Sequence, residues 1–240
     1  IMINHENQIK KLQTKKRLER YSYVPPLSMH NAAVKKDYLE QKQKCGTAPH
    51  FDNFFTLNIS ERSANKEDWK IYELFFKNNL AYKNRTFIEL GAFNGVTESN
   101  SRFFELCLEW EGILIEPNPI MYPQLFRNRP HAHKLSFAPS CSLEEEKAGK
   151  EIMFHDYNQP NAGITGFAKT YDGRHEVPVP CGTLTPVILD LIPDGRIHFF
   201  SLDVEGAVPL VLENIDFNQV FIDILMVESY NNHCPRDPRS

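Results

Sequence analysis

Beyond Ser60 the chain alternates short apolar runs with longer amphipathic stretches. The runs at 86–90, 113–116, 133–138, 198–202 and 223–228 have the length and composition of strands buried on both faces. Apolar residues recur at helical spacing between several of them. Phe103, Cys107 and Trp110 share one face of a segment over 97–110, and shorter helices are expected over 119–127 and 206–214. Ahead of the first strand, "EDWKIYELFFKNNL" places Trp69, Tyr72, Leu74, Phe75 and Phe76 on an amphipathic helix leading into it. This alternation predicts βαβ units around a mostly parallel sheet, an α/β fold with helices on both faces.

Two regions depart from the rhythm. Over 140–182, "EIMFHDYN" and "HEVPVPCGTL" read as extended, with Gly163, Gly166 and Gly173 between them, so a β-rich insertion is expected. Residues 1–60 are basic. Ten Lys or Arg fall between Lys10 and Lys44 against Glu19, Asp37 and Glu40, and "YVPPLSMHN" interrupts them with a Pro-Pro break. The expectation is a short basic helix, a linker and a second short helix, loosely attached to a domain over 61–240. The basic run reads as a solvated face, with an anionic surface or RNA as the second reading.

A chain of 240 residues holds one sizeable α/β domain plus an appendage. Its net charge of -4 carries no overall nucleic-acid signature. No stretch has the ~18–20 apolar residues of a membrane span, and no signal-peptide core stands at the front. The chain begins at Ile1, which reads as a fragment. Placement is therefore cytoplasmic by default, with an upstream signal or anchor left open, and the oligomeric state is not legible. Five scattered cysteines (Cys45, Cys107, Cys141, Cys181, Cys234) include no metal-type spacing. They read as buried or incidental thiols, with a Cys141–Cys181 disulfide as the alternative. Asn58-Ile-Ser60 and Asn84-Arg-Thr86 match the glycosylation tripeptide, a motif common by chance.

The strand ends carry the chemistry. Glu89, Glu116, Asp203 with Glu205, and Glu228 stand where four of the predicted strands finish. In open parallel sheets ligands bind outside the carboxyl ends of the strands, and a carboxylate desolvated there needs a partner. The glycines narrow the ligand. Counted from Gly91, a dinucleotide turn requires glycines at 93 and 96, where Phe93 and Val96 stand, and no P-loop ending is present. That disfavours an NAD-dependent oxidoreductase. The spacing, acid-x-Gly-x-x-x-Gly with Glu116 one βα unit later, suits a nucleoside without a pyrophosphate. Glu89 would help hold a cationic amino-acid tail, Gly91 and Gly95 would let the chain pass close, and Glu116 would accept both ribose hydroxyls. S-adenosylmethionine meets each requirement.

At "FIELGAFNGVTESNSRFFE", "WEGILIEPNPIMYPQLFRNRP", "FFSLDVEGAVPLVLENIDF" and "IDILMVE" the sequence resembles the FkbM-type family of S-adenosylmethionine-dependent methyltransferases, over about residues 61–230. The resemblance implies a class I, Rossmann-like methyltransferase fold and O-methylation of a hydroxyl on a sugar or other small metabolite. Carried over by position, Glu89, Gly91, Ala92 and Gly95 would line the methionine end of the cofactor. Ser99 and Asn100 would contact its carboxylate at a helix start. Glu116 matches the ribose-binding acid, and Asp203, Glu205 and Gly206 match the Asp-Val-Glu-Gly motif facing the reacting methyl group. Glu89 stands where many members have Asp, and Phe93-Asn94 replaces the more usual turn. Only twelve residues follow Glu228, so the terminal strands of the fold are expected to be missing.

Two roles stay open for Asp203 and Glu205. They act as base, or together bind a divalent metal that acidifies the hydroxyl, Mg²⁺ or Ca²⁺ suiting oxygen ligands. Otherwise Asp203 orients the cofactor's amino group and Glu205 caps the following helix. His155, in the insertion, is a further candidate base, and His198 reads as structural. The leading function is an O-methyltransferase on a small hydroxylated acceptor. The alternative is a catalytically silent relative that serves as a binding or trafficking module.

Overall fold

The structure, a computed structural model, describes residues 2–45, 63–78, 85–168 and 175–228. Asn58, Asn84, Gly173, Cys234 and the residues after Glu228 lie outside these, and with them the expectations that fall on them. Chain order begins with helices α1 Met2–Arg20, α2 Ala32–Lys42 and α3 Glu67–Ile71, the last continuing through a wider π turn at Tyr72–Phe76. Strand β1 Thr86–Leu90, helix α4 Arg102–Leu108, strand β2 Glu111–Ile115, helix α5 Leu125–Asn128 and strand β3 His133–Leu135 follow. The insertion holds α6 Leu143–Lys147 and a hairpin, β4 Glu151–His155 against β5 Glu176–Pro180. The last described part is α7 Leu184–Leu191, β6 Arg196–Ile197, β7 Phe199–Leu202, α8 Val208–Glu213, β8 Phe221–Ile222 and β9 Leu225–Val227.

The main sheet has the order β3-β2-β1-β7-β9, every pair parallel. Side chains alternate across a strand, so β1 feeds two cores. Phe87 joins Phe103, Phe104, Trp110, Tyr72 and Phe76 under α3 and α4. Ile88 and Leu90 join Leu184, Val187 and Ile188 of α7 on the other face. The layering is the helix-on-both-faces α/β arrangement expected, and the 140–182 insertion is extended as its composition indicated. One element went unforeseen. "LTPVILDL" forms α7, which tolerates Pro186 because it sits in the first turn, where its missing N–H takes nothing from the helix.

The expectation of a loosely attached extension does not hold for residues 7–45. Tyr21 is fully buried and stacks on Phe137 at 4.0 Å between ring centroids. Arg17 donates to Glu146 at 2.8 Å and to Asp190 at 2.6 Å, joining α1 to α6 and α7. Val24 exchanges two backbone hydrogen bonds with Lys134 of β3. Cys45 is disulfide-bonded to Cys107 of α4, and Cys141 to Cys181 at the base of the hairpin. All four are buried, and the Cys141–Cys181 alternative is the pairing found, while the Cys45–Cys107 bond was not foreseen, because it joins segments that meet only at the sheet.

Candidate active site

Parallel pairing sets Ile115, Leu90, Leu202 and Val227 level across β2, β1, β7 and β9. One residue further, the chains leave the sheet carrying Glu116, Gly91, Asp203 and Glu228. Connections from β1 run to β2 on one side, while β7 lies on the other, so this rim is the switch point at which α/β sheets bind ligands.

Gly91 is required by contact as much as by conformation. Its φ is +83°, and a Cβ there would stand 1.8 Å from the Asp203 carbonyl oxygen. Its N–H and that of Ala92 both donate to the Ile115 carbonyl, at 3.0 and 3.2 Å, which folds the turn over β2. Phe93 follows at φ +47°, a region a bulky residue rarely occupies. It is held there because its N–H donates to Glu116 Oε2 at 2.6 Å. Asn118 N–H donates to Glu116 Oε1 at 2.8 Å, so two backbone donors fix the plane of the carboxylate. Burial raises the Glu116 pKa to about 7, against the lowering effect of these bonds.

Glu89 is held inside the fold. It shares the face of Phe87, beneath α4, and its carboxylate is taken up entirely within the protein. Oε2 accepts from Ser99 Oγ at 2.8 Å, Ser101 Oγ at 2.6 Å and Arg129 Nη1 at 3.3 Å, while Oε1 accepts from Asn100 N–H at 2.7 Å. Arg129 is itself buried and also donates to Glu105, Ser99, Ser101 and the Gly95 carbonyl. Gly95 lies against it: a Cβ there would sit 2.6 Å from Arg129 Cγ. Ala92 points into the core. Thus the Glu89 carboxylate and the Ser99 hydroxyl are engaged within the protein and brace the turn, with Ala92 and Gly95 packed behind it. Asn100 donates to Ser201 Oγ at 3.1 Å and borders a pocket at the rim.

Gly91, Glu116 and Asp203 do line a cleft, of about 520 Å³ including its open mouth. Leu90, Phe93 and Pro117 form its inner side. Ala138, Pro139 and Ser140 after β3 form its end, and Phe154, Ala162 and Ile164 of the insertion form its outer wall. The slot is mostly apolar, with the carboxylates of Glu116 and Asp203 at its edge, and Glu116 keeps lone pairs free to accept further hydrogen bonds. Asp203 is shared with a second, more polar pocket of about 850 Å³ including its mouth, bordered by Asn65, Glu67, Glu98, Asn100 and Glu228.

Burial pushes the Asp203 pKa well above the carboxylate range, helped by a hydrogen bond with Glu228 and by the charges of Glu228, Glu205 and Glu89. Asp203, Glu205 and Glu228 offer oxygens all within 4.8 Å of one another. Glu205 is buried at φ +52°, its side chain against Gly163 of the insertion. His155 is buried on β4, with Glu176 3.8 Å away, and is not among the residues lining either pocket. His198 accepts the Thr86 N–H at 3.1 Å at the far end of β1, which makes it structural as expected. Sequence reasoning passed over Asn118, Phe154 and Arg129. Asn118 had a signal, an Asn-Pro step just past a strand-end acid; Arg129 had none nearby.

A sequence model of the methyltransferase FkbM domain matches residues 89–239. The chain belongs to this family: it is a methyltransferase with a Rossmann-like fold. No curated protein and no solved structure matches it. No described helix is long and apolar enough to cross a membrane.

Proposed function

We propose that the chain transfers a methyl group from S-adenosylmethionine to a hydroxyl of a sugar or similar small metabolite. The observation that supports this most is the pairing of Glu116, fixed by two backbone N–H groups, with the close Gly91–Asp203 contact at the switch point. Glu116 would hold the ribose, the apolar walls the base, and the Gly91 and Asp203 backbone the methionine end. The bound donor supplies an electrophilic methyl on a cationic sulfur.

The protein's own share is alignment and proton removal. Without a cation beside it, Asp203 holds a proton shared with Glu228. Were a cation held beside it, the ionised form of Asp203 would be favoured, and its Oδ would take the acceptor's hydroxyl proton as the new C–O bond forms. Glu205 and Glu228 then keep Asp203 basic, since like charges favour protonation. The same three oxygens would suit Mg²⁺ or Ca²⁺, which would acidify the hydroxyl instead.

Calorimetric titration of the full chain with S-adenosylhomocysteine tests the cofactor: micromolar affinity is expected, and no measurable heat across a concentration series rejects the enzyme reading in favour of a silent relative. Asp203→Asn is expected to keep that affinity within about threefold while abolishing methyl transfer to a hydroxylated acceptor. Loss of affinity alone rejects the base role.

A further inference from the structure

We propose that this chain matures and works in an oxidising compartment, where two disulfides fasten to the sheet the segments that complete its cleft. The default cytoplasmic placement is thereby replaced. Four of the five cysteines pair, Cys45 with Cys107 across 62 residues and Cys141 with Cys181 across 40, each at a Cα–Cα distance of 5.6 Å. That separation is within the range a disulfide requires. All four are buried, which shields the bonds from soluble thiols. Structural disulfides of this kind persist in oxidising surroundings and are rare where glutathione keeps thiols reduced. Glycosylation at the tripeptides of Asn58 and Asn84 would require the same surroundings.

The positions of the bonds give them a purpose. Cys107 lies on α4, whose start carries Ser99, Asn100 and Ser101, the ligands of Glu89. Cys45 thus ties the N-terminal segment to the helix that braces the glycine turn. Cys141 and Cys181 close the base of the hairpin, beside the Ala138–Pro180 and Cys141–Gly182 backbone bonds. The hairpin and its loop supply Phe154, Ala162 and Ile164, the outer wall of the cleft. That role for the second bond rests on the cofactor reading given above. Each bond forms as two thiols give up two protons and two electrons to a disulfide oxidant, such as glutathione disulfide, which is reduced.

The full chain, secreted from a eukaryotic host, is to be denatured without reductant and alkylated with iodoacetamide. One adduct, at Cys234, is expected by intact mass, rising to five after reduction, and non-reduced peptide maps should show Cys45–Cys107 and Cys141–Cys181. Five adducts without reductant, or other pairings, overturn the proposal. Hydrogen exchange tests the cleft without any methyl donor, so its outcome is separable from the cofactor reading. In a Cys141→Ser, Cys181→Ser variant, amides over 151–164 should exchange at least tenfold faster while those of 86–90 are unchanged. Unchanged exchange over 151–164 overturns the wall's dependence on the bond. If that variant does not fold, the alkylation count on the unaltered chain still decides the proposal.

Discussion

The guanidinium of Arg129 lies 3.3 Å from Glu89 and 2.6 Å from Glu105, with all three side chains buried. Through it the strand below the glycine turn, the helix after the turn and the turn's own Gly95 carbonyl are held by one cation. Removing one partner of such a buried set leaves uncompensated charge. Arg129→Met is therefore expected to cost about 3–5 kcal/mol of unfolding free energy by urea titration. Arg129→Lys keeps the charge but loses the fork that reaches both acids, and should lie between the two. Adding Glu89→Gln to Arg129→Met should recover part of the loss, which a purely packing role for Arg129 would not allow.

Glu116 makes cofactor affinity depend on pH. Its ordinary pKa of 4.5 is raised to about 7 by burial, and ribose hydroxyls need it as an acceptor. Raising the pH from 6 to 8 takes such a group from about one-tenth to about nine-tenths ionised, so S-adenosylhomocysteine should bind about tenfold more tightly at pH 8. Calorimetry at both values checks this, and Glu116→Gln should flatten the profile. The effect on the unliganded fold has the opposite sense. Between pH 4.5 and 7 the folded state holds a proton that the unfolded state has lost. Glu116 therefore lowers stability as pH rises through that window, and adds no further change above it.

The two glycines of the turn should respond differently to alanine. At Gly91 the added Cβ meets the Asp203 carbonyl, a backbone atom at 1.8 Å, so the rim between β1 and β7 has to open. A loss of about 3 kcal/mol or more is expected. At Gly95 the obstacles are the Arg129 and Leu125 side chains, which can shift, leaving mainly the left-handed conformation as the cost, about 1–2 kcal/mol. Thermal unfolding of the two variants side by side distinguishes these.

Reduction should weaken the fold by nearly the same amount for each bond, since the gain grows only with the logarithm of the loop closed. Cys141–Cys181 spans 40 residues and Cys45–Cys107 spans 62. Chain-entropy estimates give about 4 kcal/mol for each. Urea unfolding with and without reductant measures the sum, and paired serine variants separate the two.

The strands were legible because a strand buried on both faces must be a continuous apolar run, and 86–90 and its partners have no other reading. The rim acids were legible for the same reason: Glu116 and Asp203 interrupt such runs at the point where a sheet ends. What escaped was set by tertiary geometry. Strand parity fixes which residues share a face with Glu89, but whether that face meets the ligand or the helix layer is set by what packs on it. By that parity Glu89 lies with Phe87 and answers to Arg129, 40 positions away. The Cys45–Cys107 pairing and the docking of Tyr21 on Phe137 likewise join positions that no local pattern relates.

One consequence concerns how the protein can be cut. β3 is the outermost described strand on its side, and its edge is covered by Val24, through two backbone bonds to Lys134. Val24 precedes the family match, which starts at residue 89. A piece that kept β1 whole but began at residue 85 would carry that edge bare, and unpaired strand edges recruit other chains. Such a piece should self-associate in light scattering where the longer chain does not. Sequence similarity marks where relatives agree; the unit that stays soluble extends to whatever segment its outermost strand borrows.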